Sequence, residues 1–232
     1  RDIIVSEITM YEDDPMWVGH YQMLECMYGK HPIRNRIAGT AETVAEITEE
    51  TLQRAYACYY TTDEMALVCA GDIPLGEVRR MAERVARRET AARVYFPTED
   101  AEIVEKYRAC EMGLSVPQFQ IGCKLPPLPK QDWLKKRMAA GFCMELLAGE
   151  SSVFFQKAYE WDWLDEALGS AFFCGEGYDF AAFSGSGTHP EETADFLGRE
   201  LERLQREGFS QENFQRIRKK HLGQLLRQLD TP

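Results

Sequence analysis

Histidine is scarce in this chain of 232 residues, and no two of its four histidines are spaced to share a metal. His20, His31, His189 and His221 form neither an HxxxH nor an HxxEH pair, so spacing reveals no imidazole site. His20 and His221 lie on helical patterns, where packing is the plainer reading. His31 precedes Pro32 in a loop and is more open to a role. CxxC is also absent. The seven cysteines (26, 58, 69, 110, 123, 143 and 174) are odd in number and widely spaced, which excludes a disulfide framework and a zinc knuckle. Most fall in apolar runs, where a free thiol behaves as a small hydrophobe, and a reducing, cytoplasmic compartment is expected. No apolar run approaches the ~20 residues of a membrane helix, so no membrane partner is expected. No Ser or Cys nucleophile has a His at a telling distance in sequence.

Positive charge is in deficit. The net charge of −11 argues against a nucleic-acid partner. The basic clusters at Arg79, Arg80, Arg84, Arg87 and Arg88, and at Arg216, Arg218, Lys219 and Lys220, sit opposite apolar stripes and read as solvated helix faces. The GSGT at 185–188 resembles a phosphate cradle, but no P-loop lysine follows; a strand end before a helix is the plainer reading.

What is present is a mixture of helical and strand periods. Residues 1–13 read as helix, and Asp14 caps the next one with Pro15 at its first position. That helix carries Trp17, Val18, Tyr21, Leu24 and Tyr28 at helical spacing, with Gly29 as a left-handed terminator. Thr48 caps a helix over 49–60. MALVCAGD (65–72) reads as a short buried strand, and the helix after it points Leu75, Val78, Met81 and Val85 inward. QFQIGCKL (118–125) alternates strictly, with Phe119, Ile121, Cys123 and Leu125 on one face, and reads as a half-buried strand. Helices follow over 130–149 and from 151, then two strands turned at GEG (175–177), a helix from Pro190 to Gly208, and a last one capped by Ser210.

Weak periodicity over 89–105 marks a linker, giving parts at 1–95 and 106–232. Residues 107–228 are expected to form a self-contained unit, with a mainly antiparallel sheet and helices on its face. The chain opens on Arg1 in mid-helix and stops at LDTP without a closing element, which suggests a piece cut at both ends. Glu7 stands among Ile3, Ile4, Val5, Ile8 and Tyr11, and the residues alone leave it as either a helix-surface carboxylate or a functional one.

The order RDIIVSEITMYEDDP, YGKHPIRNRIAGT, ITEETLQRAYACYY and MALVCAGDI resembles the pitrilysin/insulinase family of zinc metallopeptidases, most of all its YmfH-like bacterial subgroup. LLAGESSVFFQKAYEWDWLDEALG and the last helix continue the likeness over nearly the whole chain. The resemblance implies an α/β chain of the α+β type, in the sheet-plus-helices half-domains of the LuxS/MPP-like metallohydrolase fold. The tail of the first half and most of the second would be present. It implies zinc and a peptide substrate in the parent, and it matches Glu7 to the third zinc ligand. A carboxylate suits that place, because two neutral imidazoles balance Zn²⁺ poorly and one position must stay open for water. The HxxEH helix, with its general base, is not in this sequence, so no catalytic residue is expected here, nor zinc bound to this piece. An Arg and a Tyr that hold substrate in some members' second half are replaced by Tyr159 and Glu166.

The resemblance implies a fragment of a peptidase, inactive alone. It leaves open a non-catalytic homologue serving as a scaffold or paired subunit, and a homo-oligomer. A generic α/β binding module unrelated to peptidases is the third reading. Residues 1–90 would carry one strand without neighbours, so cover from another copy, the second half or a lattice neighbour is expected, with Glu7 free of metal and either paired with a cation or exposed.

Overall fold

A computed structural model describes residues 1–63, 65–85, 95–127, 129–166 and 168–229. The chain divides into two compact units, residues 1–5 with 39–95 and residues 6–38 with 96–232. This division differs from the expected parts at 1–95 and 106–232, because residues 6–38 cluster with the later part of the chain.

The first unit holds α3 (Ala41–Glu46), α4 (Glu49–Tyr59) and α5 (Leu75–Glu83). Thr40 and Thr43 form a reciprocal capping box on α3, and Thr48 accepts from the Thr51 N–H to cap α4, as expected. Among the described residues of this unit only Val44 and Thr61 are buried. Leu75, Met81 and Val85, expected to point inward, are exposed. The MALVCAGD run is not a strand: its described residues carry no ladder, and Met65, Leu67 and Val68 are exposed. A strand exists only through a neighbour's N–H and C=O groups, and none is supplied here among the described residues.

The second unit begins with most of α1 (Asp2–Glu12) and with α2 (Pro15–Met27). Asp14 accepts from the N–H groups of Met16 and Trp17, and Pro15 opens the helix, both as the sequence predicts. The predicted left-handed Gly29 is not seen; Tyr28 leaves the helix in an extended conformation. Further on come β1 (Gln118–Leu125), α6 (Trp133–Ala148), α7 (Val153–Glu160), β2 (Gly169–Gly175), β3 (Tyr178–Ser186), α8 (Pro190–Glu207) and α9 (Gln211–Leu229). The strands form an antiparallel sheet in the order β1-β3-β2. The β2–β3 hairpin turns at Glu176–Gly177, where Gly177 takes the positive φ (85°) the tight turn needs. Ser210 caps α9 through the Asn213 N–H.

One face of the sheet meets α6–α8, and α9 packs on α6. Phe172 and Phe183 join Met144, Leu147, Phe154, Phe196 and Leu197 in that core, and Phe119, Ile121, Cys123 and Leu125 of β1 pack against it. The opposite face of β1, read as solvated, is covered by α2. Gly122 lies under Met23 and Met27, so close that a β-carbon there would sit 2.6 Å from the Met27 Sδ. Tyr21, Leu24, Met27 and Tyr28 pack there with Phe180 and Ala182. The unit over 107–228 therefore has the expected sheet and helices but is not self-contained, because residues 15–28 complete it.

Lys130–Glu160 is long and apolar enough to cross a bilayer by length and composition. Charged residues such as Lys135, Lys136, Arg137 and Glu145 interrupt its apolar run. In the structure Gly149–Ser152 divides it into α6 and α7, which give Met144, Leu147, Ala148, Phe154 and Ala158 to the core.

Candidate functional site

Glu7 lies one helical turn before Tyr11 on α1, and the pairing follows from that spacing. The Tyr11 hydroxyl donates to Glu7 Oε1 at 2.9 Å. That hydrogen bond and the carboxylate's charge push the Tyr11 phenol upward, so it stays a donor. Glu7 itself is exposed, and among the described residues no cation pairs with it. Tyr11 in turn stacks on Trp17, with centroids 5.5 Å apart and planes at 10°. The Arg36 guanidinium lies over the Trp17 ring, 5.0 Å from its centre, and pairs with Glu12 at 2.8 Å. The corner between α1 and α2 therefore carries a column of contacts, Arg36 to Trp17 to Tyr11, ending on one carboxylate.

Zinc fits this donor set only in part. The residues present supply one carboxylate, and among the described residues no three His, Cys, Asp or Glu side chains gather as a metal site. A catalytic zinc takes about three protein ligands. No step through a metal is derived from this chain alone.

His31, the histidine most open to a role, is a structural one. It is 1% exposed, its Nδ1 accepts from the Ile33 N–H, and its Nε2 is 2.9 Å from the Glu176 carbonyl. With Nδ1 accepting, the proton sits on Nε2 and is donated to that carbonyl. The ring stacks on Phe96 at 5.2 Å. His20 is half-buried against Phe173, and burial lowers its pKa. His221 stacks on Phe142 at 4.6 Å, and His189 lies against Trp163 at 5.9 Å. Tyr159 is exposed and packs on Phe155; Glu166 is exposed too.

Beside His31 lies a charged group that the sequence reading did not single out. Glu99 accepts from the N–H groups of Gly29 (2.9 Å), Lys30 (2.9 Å) and His31 (2.7 Å), and its Oε1 is 3.3 Å from Lys124 Nζ. Burial opposes its ionisation, but the three N–H donors and Lys124 prevail and set its pKa at about 2. Lys124 also donates to the carbonyls of Met27 and Glu102, and the N–H groups of Val104 and Glu105 donate to the Cys26 carbonyl. Within the predicted linker, whose residues 89–94 lie outside the described residues, the stretch 96–105 is thus fastened along α2. A cavity of ≈ 620 Å³ opens alongside, between Met23, Cys26 and Met27 of α2, the segment around Tyr107, Arg108 and Met112, and β1.

Residues 46–220 match the family described as the peptidase M16 inactive domain. The chain belongs to the peptidase M16 family. Across the whole of its length this M16 chain is 28% identical to the uncharacterized zinc protease YmfH of Bacillus subtilis, of which it covers 56%. Over 69% of its length it is 27% identical to an uncharacterized zinc protease of Streptomyces coelicolor, covering 36% of that protein. The fold of a putative M16-like peptidase from Alicyclobacillus acidocaldarius superposes with a TM-score of 0.89 at 27% identity, over 99% of this chain and 56% of that one. A peptidase M16 inactive domain from Pseudomonas fluorescens shares the fold at a TM-score of 0.72 and 12% identity, over 97% of this chain and 55% of that one. The chain spans about half the length of the relatives it matches most fully. These likenesses establish the pitrilysin/insulinase-type fold with a YmfH-like character and set aside the unrelated binding module.

Tyr11 and Trp17 were legible as helix residues, not as partners of Glu7. The signal available was the four-residue step from Glu7 to Tyr11. Glu99 carried no such signal, because its partners are backbone groups some 70 residues away.

Proposed function

We propose that this chain is the junction and second half of a zinc metallopeptidase of the M16 family, and that Glu7 is its contribution to the metal. The observation that carries this reading is the carboxylate of Glu7, exposed, held by Tyr11 and without a cation partner among the described residues, at the position that by resemblance matches the family's third ligand. The names of the relatives support zinc in the parent protein. In that parent Zn²⁺ would supply an activated water and Lewis-acid polarisation of the scissile carbonyl. This chain's part is to hold one anionic donor and to provide, through its sheet and helices, one wall around an enclosed peptide. The seven free cysteines support a reducing, cytoplasmic setting. The net charge of −11 supports a peptide rather than a nucleic acid as partner.

The test is Glu7→Gln in the full-length protein, with zinc content measured by plasma emission and cleavage of a quenched fluorescent peptide. Loss of both is expected; a variant with full zinc and full cleavage would overturn the assignment.

A second reading is a non-catalytic scaffold or subunit in a complex, but Tyr159 and Glu166 stand where some members, often partner subunits, carry a substrate-holding Arg and Tyr, and so favour the zinc-side subunit over that Arg/Tyr-bearing partner. An intact HxxEH upstream of Arg1 decides for the enzyme, and a degraded one for the partner subunit.

A further inference from the structure

We propose that Tyr11 is the positioning residue of the Glu7 carboxylate, fixing the donor before any metal arrives. The inference rests on the reading of Glu7 as a zinc ligand and names a residue which that reading does not include.

An exposed glutamate on a helix samples several rotamers, and binding a cation through it requires that freedom to be given up. Here one oxygen, Oε1, is already held by the Tyr11 hydroxyl, which leaves Oε2 as the oxygen open to a cation. The holding group is itself held. The Tyr11 ring is stacked on Trp17, and Trp17 also contacts the Arg36 guanidinium and Tyr21, whose ring centre is 4.6 Å away. Trp17 is placed by the first turn of α2, where its own N–H and that of Met16 are capped by Asp14. A chain of short contacts thus runs from the helix cap to the carboxylate. A phenol donating to a ligating carboxylate orients the ligand and keeps its second oxygen from competing for the metal; outer partners of this kind typically contribute about 10–100-fold in metal affinity. Tyr11→Phe keeps the aromatic stack and removes only the donor, so it isolates this effect.

The experiment is a zinc competition titration of the full-length protein against a chromophoric chelator, for wild type, Tyr11→Phe and Glu7→Gln, alongside thermal melts of the metal-free forms. Tyr11→Phe is expected to weaken zinc binding about 10–100-fold with an unchanged metal-free melt, and Glu7→Gln to weaken it further. Wild-type affinity in Tyr11→Phe, with weakened binding in Glu7→Gln, would overturn the positioning role and leave the ligand assignment standing. A drop in zinc affinity matched by a lower metal-free melting temperature would reduce Tyr11 to a stability contact and equally overturn it. Wild-type affinity in Glu7→Gln, or no zinc binding by the wild type, would overturn the ligand assignment and the positioning role with it.

Discussion

Lys136 Nζ lies 2.6 Å from Asp179 Oδ2, so a lysine on α6 meets a carboxylate on the central strand that is 0% exposed. Removing one partner of such a pair leaves the other charge in a low-dielectric setting. Lys136→Met is therefore expected to destabilise the chain by about 3 kcal/mol, while the double variant Lys136→Met, Asp179→Asn recovers part of the loss. Urea denaturation measures both. A single-variant loss below about 1 kcal/mol would show that the rest of the Asp179 environment suffices.

Acid should loosen the fastening of residues 96–105. The pKa of Glu99 in the folded chain is depressed to about 2 from 4.5. A depressed folded value means that the stabilisation is complete above the unfolded value and is lost as pH falls from about 4.5 towards 2. Glu99→Gln should cost on the order of 2–3 kcal/mol at neutral pH and flatten the stability profile in that window. Equal slopes for wild type and variant below pH 4.5 would refute the assignment.

At Gly122 any side chain collides with α2. A β-carbon there would come within 2.8 Å of Met23 Cγ and 2.9 Å of Met27 Cε. Thioether side chains can yield, so Gly122→Ala should cost about 1 kcal/mol, and Gly122→Val about 2–3 kcal/mol because its branches leave no room to yield. Thermal melting of the two variants gives the order, and a Val variant as stable as wild type would mean that α2 does not press on β1.

Thiol reactivity should follow burial. Burial pushes up the pKa of both Cys26 and Cys123, whereas Cys69 and Cys110 are exposed. Iodoacetamide near pH 8 should mark Cys69 and Cys110 first, with Cys26 and Cys123 last by mass spectrometry. Early labelling of Cys26 would contradict the packing of α2.

Local order was the legible part. Asp14, Thr48 and Ser210 cap where side chain and spacing say they should, and the hairpin turns where GEG stands. What could not be read was long-range cover. Strict alternation in β1 reports that one face is more apolar, not that the other is wet, and here Gly122, Gln120 and Lys124 are a polar face made to fit a helix: Gln120 donates to the Met16 carbonyl and Lys124 to that of Met27. MALVCAGD fails in the other direction. Apolarity proposes a strand, but only a neighbour can make one. For the site, residue types marked Glu7 through family likeness alone. The stack that holds it depends on the corner at Asp14, where a turn brings Tyr11 and Trp17 face to face.

The covering of β1 by α2 also sets an order of events as the chain is made. The α2 segment is synthesised early, but the sheet it covers is complete only when β3 has emerged, after the whole of residues 39–95 and the helices α6 and α7. At about 5–20 residues per second that interval is on the order of ten seconds, during which Tyr21, Leu24 and Met27 have no sheet to rest on. Closing so long an intervening stretch adds little to the equilibrium cost but slows the search. A nascent chain released before β3 would therefore present a sticky methionine-rich helix face that β1 and β3 cover only in the finished fold.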